Sequence, residues 1–423
     1  MTLKSERIKL NDGMYLNLVK TDKFKSNLLS YYFIRPLNRE EVSKNALLPL
    51  VLRSGTEKFP TKFDISRKLE ELYGSDLSIS VNKRGEKQVI RFTMEWARGD
   101  QLDKKGHDYE VIDVLRGMIF EPLVKNQAFN PKHVKREKEN LENIIRSRIN
   151  NKRSHARQRC IEEMCKNERY SIYKFGYIED LPEIDEINLY EHYQEIVKTS
   201  PIEVFYVGNY DEKLIEYLKE DSEINRGDII SIPQDTIIKL PQTKRIIKEE
   251  LDINQGKVVL GYRAGIQYDD ELYNALIVAN DILGGGPNSK LFRNVREKES
   301  LAYYINSVIY KYKSLLLIDG GIEFKDFDKT VDITKEQLED LKKGLFTQED
   351  MDISIKSLKS STESVKDSIF LISEFFFSRF LSKDNKTLEQ IVKEYGEVTK
   401  DQIVDAANQI TIDTIYFMDR IKE

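Results

Sequence analysis

Leu283-Gly-Gly-Gly-Pro-Asn-Ser-Lys-Leu-Phe-Arg-Asn-Val-Arg-Glu-Lys-Glu-Ser-Leu-Ala-Tyr-Tyr-Ile305 is the stretch from which the fold can be read. Three glycines followed by Pro287 and Asn288 stop one helix and leave its last backbone groups open. Ser289 has the side chain of an N-cap, so a second helix is predicted over about 290–299, with Arg296 near its end. Past Ser300 the residues turn β-branched and aromatic, and the chain is predicted to enter a strand over 303–310. Arg296 and Tyr303, seven residues apart, thus bring a guanidinium and a phenol to one place from two rigid elements.

Outward from this segment the chain repeats itself. Asn45-Ala46-Leu47-Leu48 and Asn274-Ala275-Leu276-Ile277 each begin ten positions before a glycine, Gly55 and Gly284, at a common offset of 229 residues. An apolar strand candidate precedes each copy, at 28–34 and 257–262. Behind each come a short charged helix and paired strand candidates, 76–82 with 88–94 and 303–310 with 315–322. A long helical pattern follows in both halves, 131–166 and 348–382, and then a further helix and a strand at 204–207 and 414–418. The pattern predicts an α+β fold used twice, each copy an antiparallel-rich sheet packed with helices. The predicted domains are 1–220 and 243–423. The linker between them is 221–242, where Asn225-Arg-Gly-Asp228, Pro233 and Pro241 interrupt any helical period.

Composition narrows the function classes. At 423 residues with 40% apolar and 33% charged side chains, each half has the means to bury a core. A net charge of −5 with both signs interspersed argues against a nucleic-acid surface. The start, Met1-Thr-Leu-Lys-Ser-Glu-Arg, is charged and no run of about 18 apolar residues occurs, so no membrane association and a cytoplasmic location are expected. Cys160 and Cys165, five apart on a predicted helix, point about 140° away from each other around its axis and are expected to remain thiols.

The quoted segment resembles the C-terminal half of insulinase-type metallopeptidases, the pitrilysin-like and mitochondrial-processing-peptidase-like family. Their pattern is Leu-Gly-Gly, then Ser-x-Leu-Phe, then Arg-x-Lys-x-x-Leu-Ala/Gly-Tyr. The resemblance implies two homologous α+β domains that form half of a clam-shell chamber. It implies that Arg296 and Tyr303 reach the zinc site of a facing domain and help to hold the substrate carbonyl, and that the loop of Gly284, Gly285 and Gly286, with Ser289, assists peptide binding.

The same resemblance exposes a loss. Active members carry His-x-x-Glu-His on the first helix of the N-terminal half, two zinc ligands with a general base between them. Aligned on Ser54-Gly55-Thr56, that window here reads Ala46-Leu47-Leu48-Pro49-Leu50. Ala46 and Leu50 have no donor atoms, and Pro49 stands where the base would be. The third ligand lies seven residues after an acid that Glu137 matches, and that position is Ile144. Glu142 is the nearest carboxylate, about 160° around the helix from Ile144. His107, His133, His155 and His192 form no pair at helical spacing, and the i,i+4 pair His133 and Glu137 reads as a solvated face. No phosphate loop and no Gly-x-Ser-x-Gly elbow occur. No metal and no cofactor are expected on this chain.

In two-chain members of the resembled family one subunit carries zinc and the other the Arg/Tyr segment. The resemblance therefore implies a non-catalytic subunit of a heteromeric zinc peptidase, in a heterodimer with a zinc-motif-bearing homologue that cleaves peptides. The alternative is an inactive peptidase-like protein with a structural or peptide-binding role, as a homodimer or an assembly subunit.

Overall fold

Strand Ser26–Pro36 reads SNLLSYYFIRP and is buried at every position but its ends. A strand that hides both faces needs a layer on each side of its sheet, and this requirement organises the molecule. The structure, a computed structural model, describes residues 3–241 and 245–421. Gln242, at the end of the expected linker, and residues 243–244 and 423, at the ends of the expected C-terminal domain, lie outside the described residues, as do 1–2 and 422.

The chain forms two compact units. The first holds a six-stranded sheet in the order Glu6–Asn11, Met14–Lys20, Ile202–Gly208, Ser26–Pro36, Lys87–Ala97, Asp76–Arg84. The second holds a five-stranded sheet in the order Arg245–Leu251, Thr411–Arg420, Gly256–Arg263, Leu315–Ile322, Ala302–Tyr310. Apart from the extra first strand the orders correspond, and so do the pairing senses. Met14–Lys20 runs parallel to Ile202–Gly208, as Arg245–Leu251 does to Thr411–Arg420, and the remaining pairs are antiparallel. The internal repeat and the α+β class are thus present in the topology, with antiparallel-rich sheets packed by helices.

The units are not the two contiguous halves of the chain. The first comprises Met1–Arg146, Ile172–Gln234 and Val365–Asn385, and the second Ser147–Ser171, Asp235–Ser364 and Lys386–Glu423. The two long helical patterns are accordingly broken. Pro131–Ser147 stops, and a new helix, Lys152–Met164, starts at Asn151, whose side chain accepts from Ser154 N at 3.0 Å. Gln348–Glu363 stops, and Ile369–Ser382 starts at Ser368, whose hydroxyl accepts from Leu371 N at 3.3 Å. In each predicted pattern a side-chain N-cap begins a new helix.

Each displaced helix supplies the second layer of its sheet. In the second unit Ala156, Cys160, Ile161 and Met164 pack against Val259, Leu317 and Tyr416. Gly261 permits this approach, since a Cβ there would lie 2.2 Å from Met164 Sδ. The same helix anchors electrostatically, with Arg153 and Arg157 both bound to the buried Asp319. In the first unit Phe377 stacks on Tyr32 at 4.0 Å, and Glu374 accepts from the Tyr32 hydroxyl at 3.0 Å and from Arg91 at 2.7 Å. The phenylalanine-rich run 370–380 is therefore a packed layer. No described helix is long and apolar enough to cross a membrane.

Candidate functional site

Helix Tyr273–Gly284 ends at the three glycines. Gly284 is required by packing, because a Cβ there would lie 2.6 Å from Ser307 Oγ, 2.7 Å from Ser307 N and 2.8 Å from Leu291. A Cβ at Gly285 would meet Asp281 at 2.3 Å, whereas at Gly286 nothing stands within 4 Å. Ser289 is buried, donates to the Gly286 carbonyl at 2.6 Å and accepts from Phe292 N at 3.4 Å. Its hydroxyl fastens the turn and caps the next helix.

That helix is wound more widely than an α-helix. Over Phe292–Lys298 it is a π-helix, and Glu299 N bonds to the Asn294 carbonyl, five residues back, at 3.2 Å. Such segments are rare and frequent at functional sites. Arg296 emerges from it exposed, its guanidinium over the Phe292 ring at 4.5 Å, with no hydrogen bond or ion pair to any described residue. Ser300, in the left-handed region at φ 52°, turns the chain from helix into strand.

The strand begins with a bulge. Ala302 pairs with Ile322 and Tyr304 with Gly321, so Tyr303 is the extra residue, and it is 59% exposed. Bulges re-aim a side chain at the cost of one ladder position. The Tyr303 hydroxyl donates to Glu323 Oε1 at 2.5 Å, and this hydrogen bond with the neighbouring charge raises its pKa. Tyr304 turns inward, its ring under Arg153 at 4.4 Å and its pKa pushed up to about 12 by burial. The structure thus separates two adjacent tyrosines into one structural ring and one presented phenol. Arg296 and Tyr303 both reach solvent on either side of the Ser300 turn, and no hydrogen bond joins them.

In the first unit the sequence positions of the zinc motif lie on helix Val42–Leu52, which continues through Pro49. Proline removes the donor that the Asn45 carbonyl would otherwise meet. Ala46 is 2% exposed inside the core, Pro49 is buried and Leu50 is half-buried. Ile144, on helix Pro131–Ser147, is also half-buried. Methyl, pyrrolidine, isobutyl and sec-butyl side chains do not fit zinc, which takes nitrogen, sulfur and oxygen donors. Among the described residues no group of three His, Cys, Asp or Glu side chains is placed to hold a metal ion.

What remains there is Glu137. It is 1% exposed and accepts from Lys62 at 2.8 Å, Arg136 at 2.9 Å, Ser54 at 3.0 Å and Asn140 at 3.1 Å. Burial pushes its pKa up, but the bonds from Lys62, Arg136 and Asn140 outweigh it and hold the carboxyl below its usual range. The reading of His133 and Glu137 as a solvated face is corrected for Glu137, which is buried and held by Lys62 from another helix as well as by Arg136 of its own. Beside it lies a cavity of about 300 Å³ lined by Leu50, Arg53, Lys62, Ile65 and Leu77, among others. Sequence reasoning missed Lys62 and Arg53, which no motif distinguishes. His192 is buried with Nε2 2.8 Å from Asn45 Oδ1, and burial pushes its pKa down to about 3. Both cysteines are buried thiols.

A twofold α+β chain whose first-half metal positions are hydrocarbon, and whose second half keeps an exposed arginine and a bulged tyrosine, is a peptidase-like protein without its own zinc motif. The family profile described as "Peptidase M16 inactive domain" matches residues 184–358. A relative from Bacillus subtilis (strain 168) described as "Probable inactive metalloprotease YmfF" is 34% identical over 99% of this chain and 98% of its own. A second from the same bacterium, "Uncharacterized zinc protease YmxG", is 24% identical over 72% of this chain and 73% of its own. Among solved structures, a conserved protein from Enterococcus faecalis V583 superposes with a TM-score of 0.89 at 27% identity over 99% of both chains. A peptidase M16 inactive domain from Pseudomonas fluorescens superposes at 0.82, with 16% identity, over 100% of this chain and 99% of that one, and shares the fold. The chain belongs to the M16, insulinase-type, peptidase family and is an inactive peptidase-like member of it.

Proposed function

We propose that this chain is the zinc-lacking subunit of a two-chain peptidase and lends Arg296 and Tyr303 to a site built around a partner's zinc. The observation that carries the reading is the unpartnered, exposed guanidinium of Arg296 beside a tyrosine presented by a bulge. Two such donors aimed at a carbonyl oxygen polarised by zinc stabilise the charge that develops on it, each by about 3–4 kcal/mol where comparable donors have been removed. Open space at Gly286 leaves room for peptide backbone. The occurrence in one bacterium of relatives described as an inactive metalloprotease and as a zinc protease supports a division of labour between two chains. In this reading zinc belongs to the partner, the substrate is a peptide and the assembly is a heterodimer in the cytoplasm.

A second reading is favoured by one contact. The Tyr303 hydroxyl is already engaged by Glu323, as suits a protein that binds a peptide or a partner without helping to cut it. Sedimentation of an equimolar mixture with the zinc-motif homologue from the same source separates the two. A heterodimer with zinc in the homologue alone supports the first reading, and two independent species leave only the second.

A further inference from the structure

The geometry points to a second binding function: the space beside the lost metal positions in the first unit takes the C-terminal carboxylate of a peptide whose last side chain is apolar. One wall of the 300 Å³ cavity is hydrocarbon, from Leu50, Ile65, Leu69 and Leu77, and its polar side carries Arg53 and Lys62. The charges there do not balance. Lys62 and Arg136 share the single carboxylate of Glu137. Arg53 is exposed and, among the described residues, its guanidinium has no hydrogen bond or ion pair. In the cavity lining two cations, Arg53 and Lys62, therefore face one anion, Glu137, which Arg136 also engages.

This excess is the feature a ligand must answer. A free guanidinium presents a planar fork that matches a carboxylate bidentately. The adjoining apolar wall gains only if the anion carries a hydrocarbon group, at about 25 cal/mol per Å² buried. A cationic ligand is repelled, and an inorganic anion leaves the wall wet. A peptide ending in leucine or a similar residue satisfies both sides at once, an instance of terminal carboxylate capture. Ala46, Pro49 and Leu50 supply neither base nor metal ligand, so the bound terminus is held and no bond is broken. The inference concerns the first unit alone and goes beyond the proposed role of Arg296 and Tyr303, since it needs no partner.

Titration calorimetry of the chain without any partner tests it. The probes are acetyl-Ala-Ala-Ala-Leu as the free acid, the same peptide as its C-terminal amide, acetyl-leucine and inorganic phosphate. The free-acid peptide is expected to bind at least tenfold more tightly than the amide, with acetyl-leucine weaker than the peptide and phosphate a poor competitor. Arg53→Ala removes an exposed, unpartnered side chain, so the fold is retained, and it should erase the preference for the acid. Lys62 is left in place because it also compensates Glu137. Equal binding of acid and amide, no binding of either at millimolar concentration, an unchanged preference in Arg53→Ala, or displacement by phosphate as effective as by peptide would each overturn the inference. A failed heterodimer in the sedimentation experiment would leave this result standing.

Discussion

The ammonium of Lys62 lies 2.8 Å from the buried carboxylate of Glu137, beside Leu50, which occupies the sequence position of a zinc ligand. Glu137 is the upstream acid of the family pattern, and in this chain its partners are Lys62, Arg136, Asn140 and Ser54. Replacing it by glutamine removes charge-assisted hydrogen bonds but leaves cations that are half-exposed and can turn to water. Glu137→Gln is expected to cost about 1–3 kcal/mol, read from the urea midpoint at neutral pH. A variant as stable as the parent would show that the cluster contributes little.

Restoring the motif window alone does not rebuild a metal site. The triple variant Ala46→His, Pro49→Glu, Leu50→His still has Ile144 at the third ligand position, and Lys62 stands by the cavity. It is expected to take up less than stoichiometric zinc and to cleave no peptide. Elemental analysis after dialysis against trace zinc decides this, and one tightly held zinc per chain would contradict the alignment.

Acid should destabilise the chain through His192. Its folded-state pKa is lowered to about 3, with burial as the leading cause and Arg35 and Lys44 adding to it. Below the unfolded value of about 6.5 the unfolded chain binds a proton that the folded chain refuses, so stability falls as pH falls. The expected slope is about 1.4 kcal/mol per pH unit for this one group between the unfolded and folded values. Chemical denaturation at pH 7, 6 and 5 measures it. His192→Asn should flatten the profile, whereas a profile unchanged by that substitution would assign the slope to other groups.

The glycines of the turn divide by role. Gly284→Ala drives a Cβ into the backbone nitrogen and hydroxyl of Ser307 and is expected to cost about 1–3 kcal/mol. Gly286→Ala meets nothing within 4 Å and has no positive φ to lose, so stability should stay within about 0.5 kcal/mol. If peptide passes over this loop, Gly286→Ala lowers cleavage by the assembled enzyme while leaving the melting temperature alone. A loss of stability with no loss of activity would place Gly286 in the scaffold.

Much of the fold was legible because it rests on local patterns that the chain states twice. The offset between Gly55 and Gly284, the apolar central strands and the Arg296 to Tyr303 spacing all follow from residue order. What escaped depends on partners distant in sequence. Nothing near Asn151 or Ser368 says that the next helix packs on another sheet, since a capping side chain looks the same in either case. The bulge that presents Tyr303 and turns Tyr304 inward is set by pairing with Ile322 and Gly321, about 20 residues away. Lys62 meets Glu137 from an element 75 residues earlier. At the candidate sites, therefore, the sequence singled out Arg296 and Tyr303, whose role is a proposal, and left unseen the cations beside the positions aligned with the zinc motif.

The most direct test of the central claim is peptide cleavage by three samples: the chain alone, the zinc-motif homologue alone, and the two mixed, each with bound zinc quantified and the mixture repeated with Arg296→Ala and Tyr303→Phe. The account predicts no cleavage by this chain, strong cleavage only in the mixture with zinc on the homologue, and a loss of tenfold or more in turnover for either variant with the complex intact. Zinc-dependent cleavage by this chain alone, no gain on mixing, or full turnover with both variants would contradict it.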